Sequence, residues 1–139
     1  MKRLFLYFII LALFIAAPAM AATNWVTANQ TTVAWDPVTK SADGTVTFGA
    51  GEITYSVYLA NAITDPSKSV PVKVRTIAET QTTLTLNVEG KYFVGVSAVR
   101  TVSGSLIGES GIMWSDMVAP SFGIQFFVIP GPPAGLRPQ

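Results

Sequence analysis

Apolar and polar residues alternate along most of the chain after residue 22, and the spacing of a helix is hard to find there. Successive side chains of a strand point to opposite faces, so alternation predicts strands that bury one face. The clearest case is Ile53, Tyr55, Val57 and Leu59, which share one face, and frequent Thr and Val favour strands further. The pattern predicts seven strands, at 25–28, 31–35, 53–59, 71–77, 82–86, 91–102 and 122–129.

Seven short strands with turn residues between them are typical of two packed sheets. We therefore predict an all-β, seven-stranded, two-sheet sandwich that forms one domain over residues 22–130. Pro71 suits an edge strand, because proline cannot donate to a sheet ladder. Two irregularities are expected: a small extra ribbon at residues 45–48, within the long segment 36–52, and a bulge or strand switch near Pro120.

The first 21 residues have the pattern of a secretory signal peptide. Lys2 and Arg3 precede a 14-residue apolar run at 4–17, and Ala19 and Ala21 supply the small residues of a cleavage site. An uncleaved membrane anchor is the alternative, but a span needs about 20 apolar residues. We expect cleavage after Ala21 and a protein that is secreted, periplasmic or at the cell surface, with no membrane contact afterwards.

The last residues, 131–139, continue a proline-rich run that begins at Pro130, and we predict an extended, polyproline-like tail. The tail is either a disordered end, a remnant linker, a cover for its own domain, or a strand offered to a neighbour.

Composition excludes several kinds of chemistry. The chain has no His and no Cys, which excludes thiol and imidazole catalysis, Cys/His zinc sites and disulfides. Without Lys2 and Arg3, seven basic residues face eight acidic ones, so no basic excess indicates nucleic-acid binding. The carboxylates stand beside turns, strand ends or glycines, unlike the facing pair of a glycosidase. We expect no catalytic residues, no metal and no cofactor, and hence no enzyme.

Several short segments together resemble a fibronectin type III domain, an immunoglobulin-like sandwich, over residues 24–130. They stand in the family's order: Val33-Ala34-Trp35 for the second strand, Tyr55-Ser56-Val57 for the third, Leu86 six residues before Tyr92, residues 92–98 for the sixth strand, and Glu109-Ser110-Gly111 with Trp114-Ser115 before the seventh. The resemblance implies that Trp35 lies in the core. It also implies that the Tyr92 hydroxyl bonds to upstream backbone, as in the tyrosine corner.

The resemblance also implies that the third, sixth and seventh strands are neighbours in one sheet. If the alternating apolar residues point inward, four others point outward at one end of that sheet: Tyr58, Phe93, Phe127 and Ile129. A contiguous apolar patch usually marks a contact. The alternatives are that the chain's own tail covers the patch, or that a register slip turns these residues inward. Trp114, near the 103–112 loop, is expected either as a half-exposed loop anchor or as a cover for the open end of the sandwich.

These observations favour an exported, non-enzymatic module that binds proteins or builds a structure, through sheet-face and loop contacts, as in a cell-surface assembly. Its partner would be another protein or a second copy. The alternative is a carbohydrate-binding accessory module that stacks sugars on Trp114 and Tyr58.

Overall fold

The computed structural model describes residues 22–128, so the predicted signal peptide, Ile129 and the proline-rich tail lie outside the described residues. The described chain is all-β, and no helix in it is long and apolar enough to cross a membrane. The strands are β1 (Asn24–Thr27), β2 (Gln30–Ala34), β3 (Ile53–Asn61), β4 (Val72–Ile77), β5 (Gln81–Thr85), β6 (Gly90–Val102), β7 (Ser105–Glu109), β8 (Met113–Trp114) and β9 (Phe122–Phe126).

The strands form two sheets of unequal size. The large sheet has the order β1-β9-β6-β3-β4, with β7 and β8 also paired to β6, and the small sheet contains β2 and β5 alone. β1 pairs with β9 in parallel, and every other pairing is antiparallel. β4 lies at an edge of the large sheet, where Pro71 just before it removes no ladder hydrogen bond.

Each of the seven predicted strands is present, but the total of seven is wrong, because β7 and β8 are additional. All five residues of β7 are exposed and β8 has only two residues, so neither shows the alternation of a half-buried strand. β7 follows β6 through a two-residue turn at Ser103 and Gly104, both with positive φ. Positive φ at both central residues is the geometry of a type I′ hairpin, whose twist matches that of the strands.

The core lies between the two sheets. Its buried members come from strands of both layers or follow them directly: Val33, Val57, Leu84, Leu86, Val94 and Ile124. The inward face predicted for β3 is correct, since Tyr55 and Val57 are buried and Leu59 packs on the core. Trp35 is half-buried against this core, with its ring edge-on to Tyr55 at 5.5 Å between centroids.

Two local predictions are also confirmed. The Tyr92 hydroxyl donates to the Val88 carbonyl at 3.1 Å, which ties the start of β6 to the turn before it. The 36–52 segment closes a narrow ribbon through a bridge between Lys40 and Thr47.

The strand next to β6 is interrupted at residues 115–121, the region of Pro120 where a bulge was expected. The Ser115 amide donates to the Val94 carbonyl, and the Phe122 amide then donates to the Ser115 carbonyl. The chain therefore loops out between these two bonds and returns to the sheet as β9.

Candidate binding surfaces

The outer face of the large sheet, turned away from the core, holds two of the predicted contact residues. Tyr58 lies opposite Gly95, and Phe93 lies opposite Ala60, in adjacent positions of the β3–β6 pair. Because Val57 and Val94 face the core, Tyr58 and Phe93 point outward as predicted.

The third predicted contact residue, Phe127, is 46% exposed and follows the end of β9. It comes after the last pair of β6 and β9, Gly90 with Phe126, so it lies further toward the end of the sheet than Phe93.

Side chains of the same chain cover much of this face. The ring centroids of Phe93 and Trp25 are 5.5 Å apart, and the Lys68 ammonium lies 4.9 Å from the Phe93 centroid. A second lysine, Lys91, lies 4.9 Å from the Trp25 centroid. Such cation–π contacts hold a charged group over a ring at modest energy. Phe93 is consequently half-buried, and it does not form a bare patch with Tyr58.

The polar end of Tyr58 is also engaged. Its hydroxyl donates to Glu109 Oε1 at 2.7 Å, and the same oxygen accepts a hydrogen bond from the Ser97 hydroxyl. These bonds, first that from Ser97 and then that from Tyr58, hold the pKa of Glu109 below its ordinary value, and the charge of Lys73 acts in the same direction. Glu109 thus joins β3, β6 and β7 across the outer face.

Trp114 is not a half-exposed loop anchor, because it belongs to β8 and is only 7% exposed. Its ring lies over Gly95: a Cβ at that glycine would come within 2.8 Å of Trp114 Cε3. A residue without a side chain leaves room for the indole against the sheet. The carbohydrate-binding alternative loses its main stacking surface, since a sugar cannot reach a buried ring.

A cleft that the sequence did not indicate opens between the two sheets. It has a volume of about 690 Å³. One wall consists of four consecutive residues, 33–36, and the facing wall includes Val96, Ala98 and Met113. The rim carries exposed apolar side chains, with Met113 59% exposed and Val118 38% exposed. Asp36 is the one charged residue among the described residues that line it.

The cleft is open because of the path of the first strand. The Ala28 amide still donates to Gln125 on β9, whereas the Asn29 carbonyl accepts from Leu86, which follows β5. The chain therefore changes sheets between residues 28 and 29, and β1 does not cover the side of β2. The alternation of β1 does not predict which sheet it joins, because the same alternating pattern is compatible with pairing to β2 or to β9.

The polar groups elsewhere stabilise turns and pair with each other. Asp43 accepts hydrogen bonds from Ser41 and Thr45, which lower its pKa to about 2. Asp65 accepts from the Val70 and Ser69 amides, which also lowers its pKa. Two ion pairs, Lys68–Asp116 and Arg100–Glu52, lie on the large-sheet side.

Within residues 22–128 no three His, Cys, Asp or Glu residues are grouped so that they could hold a metal ion.

No family model matches this chain, and neither a curated protein nor a solved structure shows significant similarity to it.

Proposed function

We propose that this chain is an exported, non-enzymatic module of fibronectin type III-like topology that binds another protein, and that the cleft beside β2 is its contact surface. The Tyr92–Val88 hydrogen bond and the pairing of β2 with β5 opposite β3, β6 and β9 support the topology. The leader at residues 1–21 supports export.

The cleft is the observation that carries the proposal. Its walls are apolar, and the exposed side chains of Met113, Val118 and Val38 continue them out to the rim. Burying a contiguous apolar surface is the main source of affinity in protein association. The outer face of the large sheet is a weaker candidate, because Trp25, Lys68 and Glu109 already contact its aromatic residues.

The polar inventory supports binding rather than catalysis. A Ser or Thr nucleophile needs a base, and the chain contains no His. Among the described carboxylates, Glu109, Asp43 and Asp65 accept hydrogen bonds from their neighbours, and Asp116 and Glu52 form ion pairs.

A pair of methionine variants tests the proposal. Met113 lines the cleft, whereas Met117 is similarly exposed, at 67%, but its side chain is not part of the cleft lining. Binding of the purified chain to the envelope fraction of its own cells is measured by co-sedimentation. We expect Met113→Asp to weaken binding about tenfold or more, because a carboxylate at an apolar contact loses its hydration without a partner.

The matched variant Met117→Asp is expected to bind as the unmodified chain does. Equal binding by both variants, or no binding by the unmodified chain, would contradict the cleft as a contact surface.

A further inference from the structure

We infer that the occupant of the cleft is an extended segment of a partner protein, with apolar side chains at alternate positions, which pairs with β2 as a third strand of the small sheet. This inference rests on the proposed function and specifies how the partner is held.

The backbone of β2 has one edge that no strand of the described chain pairs with, which we call the free edge. The Asn29 carbonyl accepts from Leu86 at 2.7 Å, and the Trp35 amide donates to Thr80 at 2.9 Å. Residues of an antiparallel strand direct their backbone groups alternately to one edge and the other. The amides and carbonyls of Thr32 and Ala34 therefore point away from β5. Among the described strands, β2 pairs with β5 alone.

This free edge is part of the cleft wall. The wall contains residues 33–36 in succession, and Ala34 belongs to it although its side chain faces away from the core. No described residue of β5 takes part. Backbone at the edge of β2 thus faces the space between the sheets, and a peptide lying there would reach donors and acceptors as well as apolar surface. Addition of a strand to a sheet edge is a recurring mode of peptide recognition.

The side chains around the edge specify what the added strand carries. Strand residues i and i+2 stand about 7 Å apart on one face, so two or three alternate apolar residues could contact Trp35, Val96 and Met113. The other face of the strand would meet solvent and is expected to be polar.

The charge of Asp36 favours a basic residue at one end of the bound strand. Asp36 stands at one end of the wall and is its one charged residue among those described. A Lys or Arg at the matching end of the strand would pair with it.

Two other occupants fit less well. The chain's own residues 130–139 include four prolines, which lack the N–H that an added strand must donate. A second copy that paired through its own β2 would not fill the cleft, because its Val33 is buried and its Trp35 packs in its own core. These considerations favour a segment of a different protein.

The test uses capped ten-residue synthetic peptides whose odd positions are Val, Ile, Leu or Phe and whose even positions are Thr, Ser or Lys. A second set has the same composition, with the apolar residues together in one half. Both sets are labelled and titrated with the full chain by fluorescence polarisation. We expect members of the alternating set to bind and the block set not to bind, because only alternation places the apolar residues on one face.

A pair of proline variants then identifies the edge. Ala34→Pro removes an amide that points to the cleft edge, and Gln81→Pro removes the corresponding amide on β5, directly opposite, which points to the far edge. Neither amide belongs to the β2–β5 ladder, so both variants are expected to fold. We expect Ala34→Pro to weaken peptide binding about tenfold or more and Gln81→Pro to leave it unchanged.

Two further measurements decide the remaining cases. On peptide binding, hydrogen exchange at the Thr32 and Ala34 amides is expected to slow. If thermal melting shows that Ala34→Pro does not fold, the same hydrogen bonds are tested by changing the peptide instead of β2. Two versions of the peptide are N-methylated, one at its odd residues and one at its even residues. One of the two versions should no longer bind, because methylation removes the amides that donate to β2.

The inference is overturned if no alternating peptide binds, or if sedimentation shows self-association in place of peptide binding. It is also overturned if Ala34→Pro binds the peptide as well as the unmodified chain does, or if both N-methylated peptides bind as well as the unmethylated peptide. If Met113→Asp abolishes envelope binding while Ala34→Pro preserves it, the cleft binds a partner that does not add a strand. That result would overturn the inference and leave the proposed function standing.

Discussion

Two glycines on the outer face of the large sheet lie beneath tryptophan rings. A Cβ on Gly123 would come within 2.5 Å of Trp25 Cζ3, and one on Gly95 would come within 2.5 Å of Ile112 Cγ2 and 2.8 Å of Trp114 Cε3. Contacts this short cannot exist, so the absence of a side chain is what allows each indole to pack against the sheet. Trp114 can be buried for this reason, and of its two predicted roles the half-exposed loop anchor is the one that its 7% exposure contradicts.

Gly95→Ala is expected to lower the free energy of unfolding by about 1–3 kcal/mol, because the added methyl group displaces Ile112 and Trp114. The shift in the urea denaturation midpoint measures this effect. Gly108→Ala is the control, since a Cβ at Gly108 in β7 meets nothing within 4 Å and its φ is not positive. Equal midpoints for the two variants would mean that the indole is not packed on Gly95.

At the level of elements, Ser115 completes the hydrogen bonding of β6 where the chain leaves the sheet between β8 and β9. Its hydroxyl accepts from the buried Val94 amide at 3.1 Å, and its own amide donates back to the Val94 carbonyl at 2.8 Å. The Ser115 hydroxyl therefore accepts the hydrogen bond that a backbone carbonyl would accept in an uninterrupted strand pair.

We expect Ser115→Ala to lower stability by about 1–3 kcal/mol, the usual effect of leaving a buried donor without a partner. Thermal unfolding followed by circular dichroism measures the loss. Ser105→Ala, in the exposed β7, should leave the melting temperature unchanged. A neutral Ser115→Ala would show that the loop does not depend on this hydrogen bond.

Glu109 links three strands, and its lowered pKa makes that link sensitive to pH. A carboxylate whose pKa is lower in the folded state contributes stability that is complete above its unfolded pKa of about 4.3 and is lost as the pH falls through the folded value. Asp65 and Asp43, the latter with a pKa of about 2, act in the same sense. Stability is therefore expected to fall on acidification below about pH 5.

The contribution of Glu109 is isolated by Glu109→Gln. We expect this variant to be less stable than the unmodified chain at neutral pH and to lose less stability between about pH 5 and pH 3, because it has no carboxylate to protonate. Urea midpoints across this range measure both effects. Glu79→Gln, in an exposed bend, is the control, and an acid slope unchanged by Glu109→Gln would contradict the role of the Ser97 and Tyr58 hydroxyls.

For the protein as a whole, we expect stability to come from the core between the sheets rather than from cross-links. The chain has no Cys, and the described residues contain no group of acidic side chains that could bind a metal ion. We expect that neither dithiothreitol nor EDTA changes the melting temperature measured by differential scanning fluorimetry. A fall of several degrees with EDTA would reveal an ion at the 36–52 ribbon, where Asp36 and Asp43 stand.

The all-β class, the positions of seven strands and the inward face of β3 could all be predicted from the sequence. This was possible because these features depend on the alternation of side chains along a single strand, as in Tyr55 and Val57. The Tyr92 hydrogen bond was expected from the resemblance to fibronectin type III domains and not from alternation, and its acceptor lies four residues upstream.

Which surface is open could not be predicted from the sequence, because it depends on pairings between distant strands. The cleft depends on β1 joining β9 instead of β2, and β1 can present the same alternation to either neighbour. In the same way, Phe93 was predicted to point outward, and it is covered by Trp25 and Lys68, which lie far from it in sequence. The sequence left open whether Trp114 is exposed, and the bare backbone of Gly95 allows its ring to pack against the sheet. A local pattern specifies which way a side chain points from its own strand, but what lies across from it is set by pairings between residues far apart in sequence.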